Sequence, residues 1–300
     1  MPEKIAIIGA GLMGHGLAAV FAHGGHPVAI TDPFPNVLAL AKDRVRATVT
    51  SIGWNEAAVA NITTCGTLAE AVRDADIIVE AVPEKLPLKQ EIFAQLEAAA
   101  RPDALLCSNT SVIPIGQIAA CVTSKQRVLG THWWNPPYLV PLVEVIEAEG
   151  TDPANVSRMI ALLTKLGKVA VHVKKDVPGF VGNRMQHALW REAIALVDAG
   201  VCDAETVDLV VKNSFGRRLA VLGPLENADL VGTDLTLDIQ ANVLPHLDRS
   251  TEPTPTLRAL VAEGKLGFKT NRGFMTWTDD QKATLRAKVT EHLKHLNQIL

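Results

Sequence analysis

The chain predicts a doubly wound α/β fold with a mostly parallel sheet, followed by an all-helical C-terminal domain. Three observations carry this. Short apolar runs alternate with helical patterns through the first half of the chain, as a parallel sheet with helices on both faces requires. A glycine-rich turn joins the first run to the first helix. Beyond Asp176-Val177-Pro178-Gly179 no strand pattern remains. The boundaries read as 1–176 and 177–300.

Each element has a local reason. Lys4-Ile5-Ala6-Ile7-Ile8 is short, apolar and rich in Ile, the mark of a strand buried on both faces. Leu12, Met13, Leu17, Val20 and Phe21 then recur at helical spacing until His23-Gly24-Gly25 stops them. Val28 to Thr31, Ile77 to Val82, Ala104 to Ser108, Arg127 to Thr131, Leu142 to Ile146 and Val169 to Val173 read as further strands. Helical faces follow at Leu88 to Leu96, at Ile115 to Ala120 and at Met159 to Leu166. In the second half, helices are expected over Asn183 to Val197, Ala204 to Val211, Glu226 to Ile239, Thr256 to Glu263 and from Gln281 onward.

Composition narrows the function classes. The 300 residues carry a net charge of −3, which gives no basic surface for nucleic acid. No apolar run is long enough to span a bilayer, and with the first strand so near the start no leader is expected. Cys65, Cys107, Cys121 and Cys202 are scattered without a C-x-x-C pair, so neither a disulfide framework nor a metal site is expected. They read as reduced core residues of a cytoplasmic protein.

Gly9, Gly11 and Gly14 form G-x-G-x-x-G between the first strand and the first helix, and Asp32 ends the second strand. This is the dinucleotide-binding fingerprint, with its acid roughly twenty residues past the glycines. Gly9 permits the tight turn, Gly11 lets the pyrophosphate approach the backbone, and Gly14 lets the helix pack closely. The free N–H groups of the first turn, at Leu12 and Met13, meet the phosphates. Asp32 accepts from both ribose hydroxyls and repels a 2′-phosphate, so NAD is expected over NADP.

A bound nicotinamide only stores a hydride, so the chain must supply a base, an orienter and donors to the substrate oxygen. Ser108-Asn109-Thr110-Ser111 follows a strand and should lie at the carboxyl edge of the sheet. His132 ends another strand, Glu144 sits in the next, and Asn183 lies in Pro178-Gly179-Phe180-Val181-Gly182-Asn183-Arg184 at the expected domain junction. Ser111 and Asn183 also suit helix caps. Glu84 and Lys89 read equally well as a solvated charge pair. Of Trp133 and Trp134, one is expected to wall the substrate pocket and the other to pack in the core.

Ser-Asn-Thr-Ser, His-x-x-Asn-Pro, Leu-Val-Glu-Val, Lys-Asp-x-Pro-Gly-Phe-x-x-Asn-Arg and Gly267-Phe268-Lys269-Thr270-Asn271-Arg272-Gly273-Phe274, in this order, resemble the L-3-hydroxyacyl-CoA dehydrogenase family over nearly the whole chain. The resemblance implies His132 as general base, Glu144 as its partner, and Ser111 and Asn183 on the substrate oxygen. It also implies Glu84, Lys89 and Asn109 near the cofactor, and a helical domain that pairs two subunits. The acyl-CoA members carry a long lysine-rich arm after the second strand. Here that segment, Ala41 to Trp54, is short and mixed in charge. With His132-Trp133-Trp134-Asn135-Pro136-Pro137-Tyr138, the chain looks more like the branch of carnitine, gulonate (lambda-crystallin) and pyridine-carboxylate dehydrogenases. A small hydroxy acid or alcohol is therefore the first expected substrate and a 3-hydroxyacyl-CoA the second. A non-catalytic NAD-binding structural protein is the remote third. Lysine-dependent β-hydroxyacid dehydrogenases are set aside because Gly182 to Ala188 contains no lysine.

Overall fold

In the computed structural model, which describes residues 1–300, eight strands form one sheet. They are β1 (Ile5–Ile8), β2 (Val28–Thr31), β3 (Ile62–Thr64), β4 (Ile77–Glu80), β5 (Leu105–Ser108), β6 (Val128–Trp133), β7 (Leu142–Ile146) and β8 (Val169–Val173). Their order is β3-β2-β1-β4-β5-β6-β7-β8. All neighbours are parallel except β6 and β7, which run antiparallel. The chain winds outward from β1 to β3 and then returns to β4 on the other side of β1. This reversal opens a crevice at the carboxyl ends of β1 and β4, the place where doubly wound sheets bind ligands.

Alternation along β1 shows why the apolar runs are continuous. Ile5 and Ile7 pack under one helical layer with Leu17, Phe21, Val45 and Leu163, while Ala6 and Ile8 pack under the other with Phe93, Leu96 and Ile118. Both faces of the strand are thus covered. Of the cysteines, Cys107 is a core residue, but Cys121 is exposed, contrary to the expectation for all four. β3 shows no pattern in the sequence because it has three residues, two of them exposed threonines.

Two compact units emerge, Met1–Arg184 with Thr290–Leu300, and Met185–Val289. The division falls later than residue 176, within the helix Gly182–Asp198. The segment just before it belongs to the first unit because the Val181 and Gly182 amides donate to Glu144. The C-terminal segment returns there too, where Asn297 Nδ2 donates to the Leu139 carbonyl. The regular elements of the second unit are all helices, with isolated bridges only at Gly267, Arg272 and Thr276. The pattern over Glu226 to Ile239 is two helices, Pro224–Val231 and Thr233–Val243, because Gly232 adopts φ 103° between them. No helix is long and apolar enough to cross a membrane.

Candidate active site

The glycine turn has the stereochemistry that a dinucleotide needs. Gly9 adopts φ 104°, and a Cβ there would lie 2.7 Å from the Ala81 carbonyl oxygen. A Cβ on Gly14 would lie 1.8 Å from the Gly9 oxygen, so the helix Leu12–His23 can approach only without a side chain. Around Gly11 nothing lies within 4 Å of the Cβ position. The space beside Gly11 is open, and no side chain caps the helix N-terminus above it. An anion fits there, against the unpaired N–H groups of the first turn. Asp32 is fixed by its backbone neighbours: Oδ2 accepts from Ala10 N at 2.8 Å and Oδ1 from Phe34 N at 2.9 Å. Each oxygen retains a lone pair for a ribose hydroxyl.

β6 runs two residues further than its sequence pattern, so His132 lies within the strand, directly opposite Glu144 of β7. The two are buried, at 3% and 1% exposure, and His132 Nδ1 lies 2.7 Å from Glu144 Oε2. A carboxylate only accepts, so the ring donates through Nδ1–H and leaves Nε2 as the acceptor. Three side-chain atoms are sealed from solvent without a partner, Thr131 Oγ1, Trp133 Nε1 and Trp134 Nε1. His132 Nε2 is not among them, and the ring's hydrogen bond is made through Nδ1.

The second oxygen of Glu144 holds a turn. Oε1 accepts from Val181 N at 2.9 Å and Gly182 N at 3.1 Å. Burial alone would raise the Glu144 carboxyl, yet the His132 bond and these two amides hold it below the usual range. To aim both amides at one oxygen, the chain passes through Phe180 at φ 50°, a left-handed conformation that a bulky residue rarely adopts. Phe180 is fully buried, and its ring centroid lies 5.7 Å from that of His132. Trp134 stands beside His132 on another side, with centroids 5.1 Å apart, whereas Trp133 is buried against Phe21. Gly182 is required because a Cβ there would meet the Trp134 ring at 2.4 Å.

The same turn reaches Ser111. Asn183 Nδ2 donates to the Ser111 carbonyl at 2.8 Å, which is a tertiary bond rather than a helix cap. Glu84 Oε1 accepts from Thr110 Oγ1 at 2.5 Å, Ser111 N at 3.0 Å and Val112 N at 3.1 Å. Glu84 and Lys89 are not a solvated pair. Lys89 is 1% exposed, with Nζ 2.7 Å from Glu80 and 3.3 Å from Glu84. Its third donor faces the Val82 carbonyl. Burial would raise the Glu84 carboxyl, but Thr110, Lys89 and the two amides hold it below its ordinary range. Asn109 Oδ1 accepts from Trp133 N at 3.0 Å and so ties the loop after β5 to the end of β6.

Thus hydrogen bonds join His132 to Glu144, Asn183 to Ser111 and Ser111 to Glu84, the bonded Gly182 amide carries the link from Glu144 to Asn183 along the chain, and an ion pair joins Glu84 to Lys89. Glu80, which no motif in the sequence marks, is fully buried and accepts from Lys89, Val82 N and Ser108 Oγ. An acid ending an apolar strand was the available signal. The amides of Val181 and Gly182 were also missed, since a backbone group carries no residue signature.

Residues 4–177 match the 3-hydroxyacyl-CoA dehydrogenase NAD-binding domain, and residues 179–277 match the C-terminal domain of the same family. Over its whole length the chain is 34% identical to 5-formyl-3-hydroxy-2-methylpyridine 4-carboxylate 5-dehydrogenase of Mesorhizobium japonicum, covering 99% of that protein. A probable 3-hydroxybutyryl-CoA dehydrogenase of Bacillus subtilis is 36% identical over 92% of this chain and 98% of its own. The crystal structure of a 5-formyl-3-hydroxy-2-methylpyridine 4-carboxylic acid 5-dehydrogenase superposes with a TM-score of 0.93 at 33% identity, covering 100% of this chain and 98% of the other. The chain therefore belongs to the 3-hydroxyacyl-CoA dehydrogenase family and is an NAD-dependent dehydrogenase acting on a CH–OH group.

Proposed function

We propose that His132 is the general base of this dehydrogenase and that its substrate is a small hydroxy acid or alcohol. The observation that carries the first part is the free Nε2 of a ring whose Nδ1 is held 2.7 Å from a buried carboxylate. NAD, when bound, supplies the hydride acceptor. Nε2 accepts the hydroxyl proton, and Glu144 stabilises the imidazolium that results. Ser111 and Asn183 hold the substrate oxygen. Asn183 has one amide N–H and its oxygen left for this, since the other N–H is bound to the Ser111 carbonyl. Gly9, Gly11, Leu12, Met13, Gly14 and Asp32 are proposed to hold the dinucleotide. Glu84 and Asn109 are proposed to bound its nicotinamide end, with Lys89 acting through Glu84.

The substrate class rests on charge. A coenzyme A phosphate cluster needs several free cations. The helix Ala41–Ser51 offers Lys42, Arg44 and Arg46, and Arg46 is already paired with Asp43 at 2.7 Å. The full-length likeness to a pyridine-carboxylate dehydrogenase supports a small carboxylate substrate. NADH formation with hydroxymethyl-pyridine carboxylates, carnitine, gulonate, free 3-hydroxy acids and 3-hydroxybutyryl-CoA tests this. Higher kcat/KM on one of the small substrates is expected. Faster turnover of the CoA ester than of every small one would transfer the assignment to a 3-hydroxyacyl-CoA dehydrogenase proper.

A cytoplasmic homodimer joined through the helical domain is part of the same proposal. From Met185 to Val289 no residue is buried, and Leu225, Leu230 and Leu237 are exposed at 80%, 73% and 68%. A helical unit stabilises itself by burying its apolar faces. A second copy covering them supplies the missing core.

A further inference from the structure

We infer that Arg44 belongs to the NAD site, where its guanidinium binds the phosphate-bearing adenosine half of the dinucleotide. Nothing in the glycine fingerprint calls for a cation, because the turn binds phosphate through backbone N–H groups. Here one is built in. Ala10, the residue between Gly9 and Gly11, is held from both sides: its N–H donates to Asp32, and its carbonyl accepts from Arg44 Nη1 at 3.3 Å. Asp32, which faces the ribose hydroxyls in the proposed site, and Arg44 therefore flank a single residue of the turn.

Arg44 is half-buried, and the one hydrogen bond of its guanidinium in the protein is to that carbonyl. Of the other arginines of this unit, Arg46 pairs with Asp43, Arg101 with Asp76 and Arg158 with Glu3, the buried Arg127 donates to Ser124 and to backbone carbonyls, and Arg73 and Arg184 are exposed. A guanidinium has five donors in a fixed fork, so four remain here to bind an anion by charge-assisted hydrogen bonds. The neighbouring carbonyl, that of Gly11, accepts from His15 Nδ1 at 2.7 Å. Burial holds the His15 ring below its usual range, and the Arg44 charge lowers it further, against the raising effect of the Gly11 bond. Arg44 thus places a cation beside the turn, where it complements a diphosphate carrying two negative charges.

Calorimetric titration of ADP-ribose and of nicotinamide mononucleotide into the full chain and its Arg44→Ala, Arg44→Gln and Arg44→Lys variants tests this. ADP-ribose binding is expected to weaken about 10-fold in the Ala and Gln variants, the loss of one charge-assisted contact, and less than about 3-fold in Lys. The dependence of ADP-ribose affinity on salt should diminish in Ala and Gln, and nicotinamide mononucleotide should bind all four proteins alike. Gln can still donate to the Ala10 carbonyl but carries no charge. If Arg44→Gln binds ADP-ribose as the parent does, Arg44 only braces the turn and the inference fails. It also fails if all three variants, with melting temperatures matching the parent, bind ADP-ribose unchanged.

Discussion

Glu144 stands directly opposite His132 in the antiparallel register of β6 and β7, with its two oxygens divided between the imidazole and the turn that precedes Asn183. One carboxylate thus sets the ring tautomer and the position of the neighbouring polar side chain. Replacing it with Gln separates these tasks. The amide oxygen still accepts from Val181 and Gly182, but its NH2 faces Nδ1 and forces the ring proton onto Nε2. Turnover in Glu144→Gln is expected to fall at least about 10²-fold with little change in melting temperature. Glu144→Ala should also lose about 1–3 kcal/mol of stability, since it leaves buried donors without an acceptor. Steady-state kinetics and thermal denaturation of both variants check this pair of outcomes.

Acid should weaken the fold through Glu144 and Glu84. Both carboxyls are held below their ordinary value of 4.5 in the folded state, so the unfolded chain takes up protons first as pH falls. Their stabilisation is complete above that value and is lost as pH drops through the folded pKa values. Urea denaturation between pH 7 and pH 3 should show this decline, and Glu84→Gln should show a shallower one. Identical slopes for parent and variant would contradict it.

The glycines of the turn should fail in different ways. Gly11→Ala meets open space and a φ of −70° that alanine accepts, so its melting temperature should match the parent. Its added methyl enters the space proposed for the pyrophosphate, so ADP-ribose binding should weaken at least about 10-fold. Gly14→Ala drives a methyl into the Gly9 carbonyl and should cost at least about 3 kcal/mol of stability. Calorimetry of the first variant and denaturation of the second distinguish the two failures.

The exposed leucines of the helical unit test the dimer. Sedimentation at micromolar concentration should give twice the 32.2 kDa chain mass, and Leu225→Glu or Leu237→Glu should lower it. Single-chain mass for the parent, or unchanged mass in both variants, would contradict a dimer through these surfaces.

What the sequence revealed, and what it hid, follows from the range of the interactions. The strand, turn, helix and strand from Ile5 to Asp32 are legible because each is a local pattern of apolar residues and glycines. His132 and Glu144 are readable as candidates by their motifs, but only the pairing of β6 with β7 makes them neighbours. The bracing of Ser111 by Glu84 joins positions 27 residues apart, and that of Ser111 by Asn183 spans 72, so neither leaves a periodic trace. β3 is too short to show alternation, and Arg44 looks like any helix-surface arginine until its carbonyl partner is seen.

Turnover of His132→Ala, measured by NADH formation beside calorimetric ADP-ribose binding, tests the central claim most directly. A loss of about 10²–10⁴-fold in kcat with cofactor affinity intact is the expected result. Unchanged kcat in a variant that binds ADP-ribose normally would remove His132 from the chemistry and with it the proposed mechanism.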